Sequence, residues 1–336
     1  MTQKGTLLLS REDVASLLTL PEYVEIVEEA FRAYSEGRTV APGLLHADVP
    51  DGEFHVKSGG LELARPYFCL KANAGFYRNR ERFGLPNIQG MIVLYSAENG
   101  YPLALMDSIE ITVNRTGAAG AVAAKHLARP ESRVVTVCGC GTQGRIQLQA
   151  LKEVLPVERV FAFDVDSGAA RGFAAEMEGH LGMEVTVASD LPAAVGKSDV
   201  CVTCTPARNH FLKSEDVAPG TFVSAFGADS PEKGEIDPGL MASGTVVVDI
   251  LEQCATVGEL HHALRAGVME EDDVHAELGE VVTGRKAGRT AEEEITVFDA
   301  TGTGLQDAAS AAAAYERALE RRLGTFFDFF GIEEAR

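Results

Sequence analysis

Residues 133–154 read RVVTVCGCGTQGRIQLQALKEV, an apolar run, a glycine-rich turn and a helical pattern in immediate succession. The turn carries G-x-G-x-x-G spacing at Gly139, Gly141 and Gly144, a weak signal alone but a strong one between a strand and a helix. Each glycine has its own task there. Gly139 makes the tight turn, Gly141 keeps a Cβ away from a pyrophosphate, and Gly144 lets the helix close on the strand. Thr142 and Gln143 stand at the helix start, where unpaired N–H groups and the helix dipole favour phosphate charge. A dinucleotide is expected on Gly139, Gly141, Thr142, Gln143 and Gly144.

The next strand-like run, RVFAFD, ends at Asp164, about 20 residues past the turn, where a carboxylate can accept hydrogen bonds from ribose hydroxyls and repel a 2′-phosphate. No arginine follows until Arg171, so NAD is expected rather than NADP. A third run, CVTCTPARNHF, ends on Thr205-Pro206 and puts Thr205 at the nicotinamide half of such a site. From Arg133 onward strand and helix patterns alternate, which implies a parallel sheet with right-handed crossovers.

Upstream the pattern changes. PEYVEIVEEAFRAYSEG predicts a helix with Pro21 at its start, Val24, Val27, Phe31 and Tyr34 on one stripe, and Gly37 at its end. Residues 53–107 hold short β-rich runs, the last folded at an Asn99-Gly100 hairpin turn, and predict a mostly antiparallel sheet. Residues 108–129 read as helix again. A final helix over 304–323 follows the strand ITVFD and is placed back with the first domain. The fold class expected is α/β, with a central Rossmann dinucleotide-binding domain over 126–305 and a discontinuous α+β substrate domain from 1–125 and 306–336. The acidic clusters in 270–294 read as a solvated surface excursion.

Composition narrows the partners. Of 336 residues, 50 are acidic and 30 basic, and the net charge of −20 disfavours nucleic acid and anionic membrane surfaces. No apolar run approaches the roughly 18 residues of a membrane span and MTQKGTLLLSRED does not resemble a signal peptide, so a soluble, cytoplasmic protein is expected. The six cysteines are too sparse for a disulfide framework. Cys201 and Cys204 form a C-x-x-C inside a strand pattern and read as buried thiols, and no metal ligand set is read from the sequence.

A small amino or imino acid substrate needs cations for its carboxylate, and Lys57, Lys71 and Arg115 lie near strand ends or helix starts. Lys71 stands out in the apolar run PYFCLKANAGF, where an amine is desolvated unless it is paired or used. Arg115 opens a small-residue helix pattern, with Thr116 beside it as a candidate cofactor contact. His46 and His55 are weaker candidates. Asp229 lies in AFGADSPEKGEID, a loop after a strand, where active-site residues of α/β folds often occur.

The stretches RTGAAGAVAAKHLARP, VCGCGTQGRIQLQAL, FGADSPEKGEID and ITVFDATGTGLQDAA together resemble the ornithine cyclodeaminase/μ-crystallin family over nearly the whole chain. The resemblance implies a homodimer and a substrate domain built from both chain ends. It implies further that Lys71 and Arg115 take the substrate carboxylate and that Asp229 handles a proton at nitrogen. The chain departs from the cyclodeaminase-like pattern before Lys71. An arginine expected there is replaced by VAPGLLHADVP and FHVKSGG, so that His46, His55 or Lys57 stands in for it. FHVKSGG and GFYRNRERFGLP look closer to imine reductase and alanine dehydrogenase branches. An NAD-dependent imino acid reductase or amino acid dehydrogenase is expected. A cyclodeaminase-type lyase with catalytic NAD and a μ-crystallin-like binding protein are the alternatives.

Overall fold

Side-chain alternation from residue 39 to 107 builds a meander of antiparallel strands. In the computed structural model, which describes residues 5–331, β1 (Thr6–Leu9) is followed by β2 (Thr39–Val49), β3 (Gly52–Glu62), β4 (Pro66–Gly75), β5 (Ile88–Ser96) and β6 (Pro102–Asp107). Strands β2 to β6 pair in sequence, while β1 joins the far side of β6 in parallel. Pro42 interrupts β2 where its register with β3 shifts, as a residue without an N–H must in a ladder. Gly100 has φ 75° in the β5–β6 turn, the left-handed conformation for which the Asn-Gly pair selects.

The chain divides into two units. One comprises the residues up to Arg115 with those from Thr303 on, and the other is Thr116–Gly302. The second unit holds β7 (Val134–Cys138), β8 (Arg159–Phe163), β9 (Glu184–Val187), β10 (Val200–Thr203), β11 (Phe222–Ala225), β12 (Thr245–Val248), β13 (Ala276–Glu277) and β14 (Thr296–Asp299). All of its pairings are parallel, in the order β13-β12-β14-β11-β10-β7-β8-β9. Strands buried on both faces read as continuous apolar runs, which is why VVTVC, VCVT and TVVV show no alternation. The order reverses between β7 and β10, the switch point at which open α/β sheets place ligands beyond the strand carboxyl ends. The latest strand of this unit, β14, is inserted between β11 and β12 rather than added at an edge.

The segment 270–294 is more structured than its acidity suggests. Its acidic runs at 270–273 and 291–293, and residues 284–287 between them, lie in solvent as expected, but most of the rest does not. His275 is followed by edge strand β13 and by a short helix, Leu278–Val282, whose Leu278, Val281 and Val282 are buried. Apolar residues spaced between the acidic ones fix that outcome.

The chain ends the first unit with a helix, Gly304–Arg321, and β15 (Thr325–Phe327), antiparallel to β1. The helix packs on helix Leu20–Ser35 and across β3 and β4. Its alanines, among them Ala308, Ala311 and Ala312, share a core with Leu61, Cys69 and Ile92. Backbone meets backbone at its start. A Cβ added at Gly304 would lie 2.1 Å from Ser58 O, and one at Gly59 would lie 2.8 Å from the Gly304 carbonyl carbon. No larger residue fits at either position without moving the helix off the strand.

Candidate active site

In the first unit, that close approach sets the second half of the helix's first turn over β3 and β4. Lys57 and Lys71 are register partners on β3 and β4, so both side chains leave the same sheet face. Asp307 meets them from the helix. Lys71 Nζ lies 2.7 Å from Asp307 Oδ2, and Arg115 Nε lies 3.1 Å from Asp307 Oδ1. Arg115 Nη1 donates to Gln306 Oε1 at 2.8 Å, which turns the Gln306 amide nitrogen away from the arginine; that Nε2 is buried without a hydrogen-bond partner.

All four charged groups are buried, with Lys57 at 7% exposure the most open. Burial, together with the like charges of Arg115 and Lys57, brings the Lys71 ammonium down to about 7 against the pull of Asp307. Burial alone would raise Asp307, yet Lys71 and Arg115 hold its carboxyl below the ordinary value. Three basic groups around one carboxylate leave an excess of positive charge at low dielectric, and an anion is what such a cluster binds. A groove of about 710 Å³ in the same unit, lined by Ile26, Leu63, Tyr67 and Ala312 among others, includes none of these residues.

Asp307 and Gln306 escaped the sequence reading. Asp307 is separated from Arg115 by 192 positions, and nothing in GLQDAA distinguishes a core carboxylate from a helix-surface one. Its only signal was an acid on an otherwise alanine-rich face. His55 sits two residues before Lys57 on β3 and contacts His46 and Glu53.

In the second unit, the turn after β7 has the form its glycines require. Gly139 has φ 99°, and a Cβ at Gly144 would lie 2.1 Å from Gly139 O. Nothing lies within 4 Å of the Cβ position at Gly141, which precedes helix Thr142–Val154, and no side chain caps that helix. An open, uncapped helix start at a sheet switch point fits a dinucleotide pyrophosphate. Gln143 Oε1 is buried there without a hydrogen-bond partner.

Asp164 accepts from Cys140 N–H at 2.8 Å and from Asp166 N–H at 2.9 Å, so the carboxylate braces the turn and keeps further lone pairs for ribose hydroxyls. Arg145 donates to the Cys140 and Gly141 carbonyls. Thr116 O accepts from buried Gln147 Nε2 at 3.0 Å, and a Cβ at Gly120 would lie 2.1 Å from Gln147 Oε1, so the small residues after Arg115 let two helices meet. Cys201 is buried within β10, and Cys204 Sγ donates to Cys138 O and Gly139 O.

Thr205 follows β10, and its N–H donates at 2.6 Å to Glu235 Oε1, while Gly227 N–H, after β11, donates to Glu235 Oε2 at 2.9 Å. One buried carboxylate therefore ties two adjacent strand ends. Its pKa is raised, chiefly by burial. Glu235 in turn offers its N–H to buried Glu259 at 2.8 Å. Asp229, on the same loop, pairs with Lys233 Nζ at 2.6 Å and stays partly exposed.

A doubly wound dinucleotide-binding unit, interrupting a mixed-sheet unit with a buried cation cluster, defines a class of two-unit nucleotide-dependent proteins. Within that class the match is specific. The ornithine cyclodeaminase/mu-crystallin family model matches residues 4–322, and the chain belongs to this family. It is similar to an archaeal alanine dehydrogenase dimer with bound NAD, at 41% identity and TM-score 0.91, covering 97% of this chain and 99% of that one. It is also similar to the Delta(1)-pyrroline-2-carboxylate reductase of Thermococcus litoralis in complex with NADH and L-proline, at 34% identity and TM-score 0.90, covering 96% and 100%. A third likeness is to the iminosuccinate reductase of Paracoccus denitrificans in complex with NAD+, at 29% identity and TM-score 0.88, covering 96% and 99%.

Proposed function

We propose that this chain is an NAD-dependent reductase of small 2-imino acids, able to run in reverse as an amino acid dehydrogenase. The observation that carries it is the cluster of Lys57, Lys71 and Arg115 around Asp307, a ready-made receptor for one carboxylate. Gly139, Gly141, Thr142, Gln143 and Gly144, with Asp164 and Thr205, would hold a nicotinamide cofactor, which when bound would supply or accept a hydride. Lys71 and Arg115 hold the substrate carboxylate, and Lys57 adds to the field. The buried Gln306 Nε2 is a further donor for it. Fixing the acid at its carboxylate limits the orientations in which its imino carbon is presented. Asp229 gives a proton to, or takes one from, the substrate nitrogen, and Lys233 Nζ at 2.6 Å orients its carboxylate. Glu235 positions the Thr205 and Gly227 ends by accepting from both.

The functional unit is a homodimer on this reading. Edge strand β2 carries exposed Val40, Leu44, Leu45 and Val49, and a long apolar edge favours a second copy as cover. No helix among the described residues is long and apolar enough to cross a membrane.

The deciding experiment measures NADH consumption with pyruvate, glyoxylate or oxaloacetate, each with ammonia or methylamine, and with pyrroline-2-carboxylate, beside an ornithine-to-proline assay. Stoichiometric NADH loss with one imino acid is the expected result. Proline formation from ornithine without net NAD turnover would replace the reductase with a lyase, and binding without either would leave a ligand carrier.

A further inference from the structure

The β2–β3 hairpin places four polar side chains in a row on one sheet face. His46 pairs in register with His55, and Asp48 with Glu53. His46 Nε2 lies 3.2 Å from Asp48 Oδ1, His46 Nδ1 lies 3.5 Å from His55 Nδ1, and His55 Nε2 lies 3.4 Å from Glu53 Oε2. Asp48 as a carboxylate only accepts hydrogen bonds, so His46 carries its hydrogen on Nε2 and turns the Nδ1 lone pair toward the His55 ring. A cation placed there is within reach of His46, His55 and the Glu53 carboxylate together.

We propose that His46, His55 and Glu53 form a binding site for a divalent transition metal ion of the zinc type. Two nitrogens bound at about 2.0–2.1 Å with near-tetrahedral angles stand about 3.3–3.5 Å apart, and the separation here is 3.5 Å. The candidate ligand atoms of His46, Glu53 and His55 all lie within 4.8 Å of one another. Tyr77 OH donates to Glu53 Oε1 at 2.9 Å, which orients the carboxylate with Oε2 toward His55. Asp48 takes the outer N–H of His46, the arrangement that orients a metal-bound imidazole and raises its basicity. The two carboxylates supply charge to match a divalent ion, and three protein ligands leave a tetrahedral ion one position for water. Imidazole and carboxylate donors without thiolate suit zinc, cobalt or nickel over calcium or magnesium.

The test is zinc binding by the purified full chain after chelator treatment, read by competition with a chromophoric chelator and repeated with cobalt for its visible spectrum. One zinc per chain is expected, with cobalt giving visible bands but no near-ultraviolet thiolate charge transfer. His46→Ala should abolish tight binding. Asp48→Asn, which keeps every ligand, should weaken it about 10- to 100-fold. Far-UV circular dichroism and retained NADH binding report whether each variant is folded. The proposal is overturned if wild type binds no zinc, if a folded His46→Ala binds it as well as wild type, or if cobalt shows thiolate bands. Because the readout is metal occupancy, failure here leaves the reductase reading untouched.

Discussion

Lys71 Nζ stands 2.7 Å from Asp307 Oδ2 with both side chains almost wholly out of solvent, at 3% and 0% exposure. The pair joins a strand near the start of the chain to a helix near its end, and it makes a cluster of buried cations tolerable.

Removing the carboxylate charge leaves those cations facing one another. Breaking a buried pair in this way costs about 3–5 kcal/mol, and urea unfolding of Asp307→Asn should show a loss on that scale. Lys71→Met should lose less, because Asp307 keeps Arg115. Equal losses would show that Asp307 does not serve as the shared counter-charge.

The Lys71 amine titrates at about 7 in the folded chain, so it is charged below that pH and neutral above it. Because kcat/KM reports ionisations of the free enzyme, its value for an anionic substrate should fall as pH rises through about 7. Lys71→Arg, whose guanidinium stays charged, should flatten that bend. Stability moves the other way. Between about 7 and the ordinary lysine value of about 10.4, the unfolded chain binds more protons than the folded one, so this residue alone makes stability increase with pH. Lys71→Met should remove that increase, and a bend that survives in Lys71→Arg would assign it to another group.

Asp229→Asn keeps the shape of the side chain and removes the proton acceptor. If Asp229 is the general acid and base, kcat should drop about 10²–10⁴-fold while NADH affinity, followed by fluorescence titration, stays within error of wild type. A variant with near-normal kcat would move proton transfer elsewhere.

Asp164→Ala removes both the acceptor for ribose hydroxyls and the brace on Cys140 N–H. The loss of a hydrogen bond to a charged group, about 1.5–3 kcal/mol, should raise the Kd for NADH roughly tenfold or more. NADPH binding should suffer less, since the repulsion of its 2′-phosphate goes too. Equal losses for the two cofactors would reduce Asp164 to a brace.

The Rossmann unit was legible because its signals are local. A strand, a glycine turn and a helix lie within residues 133–154, and helix Thr142–Val154 begins and ends where that pattern does. The insertion of β14 between β11 and β12 leaves no such trace, since strand order depends on pairing between segments far apart in the chain. The same distance hid Asp307 and Glu235. Lys71 betrayed itself by sitting in an apolar strand, whereas an acid in a helix or a Gly/Pro-punctuated loop has ordinary neighbours and an ordinary surface alternative. β1 and β15, each too short to show a period, were invisible for that reason.

The contact between Gly59 and Gly304 also sets a timetable. A ribosome delivers Lys57, Lys71 and Arg115 long before Asp307, so the nascent meander carries buried-to-be ammonium and guanidinium groups with no counter-ion until translation is nearly complete. A product halted before Gly304 should be digested readily by added protease where the full-length chain resists, and premature termination would thus mark itself for disposal.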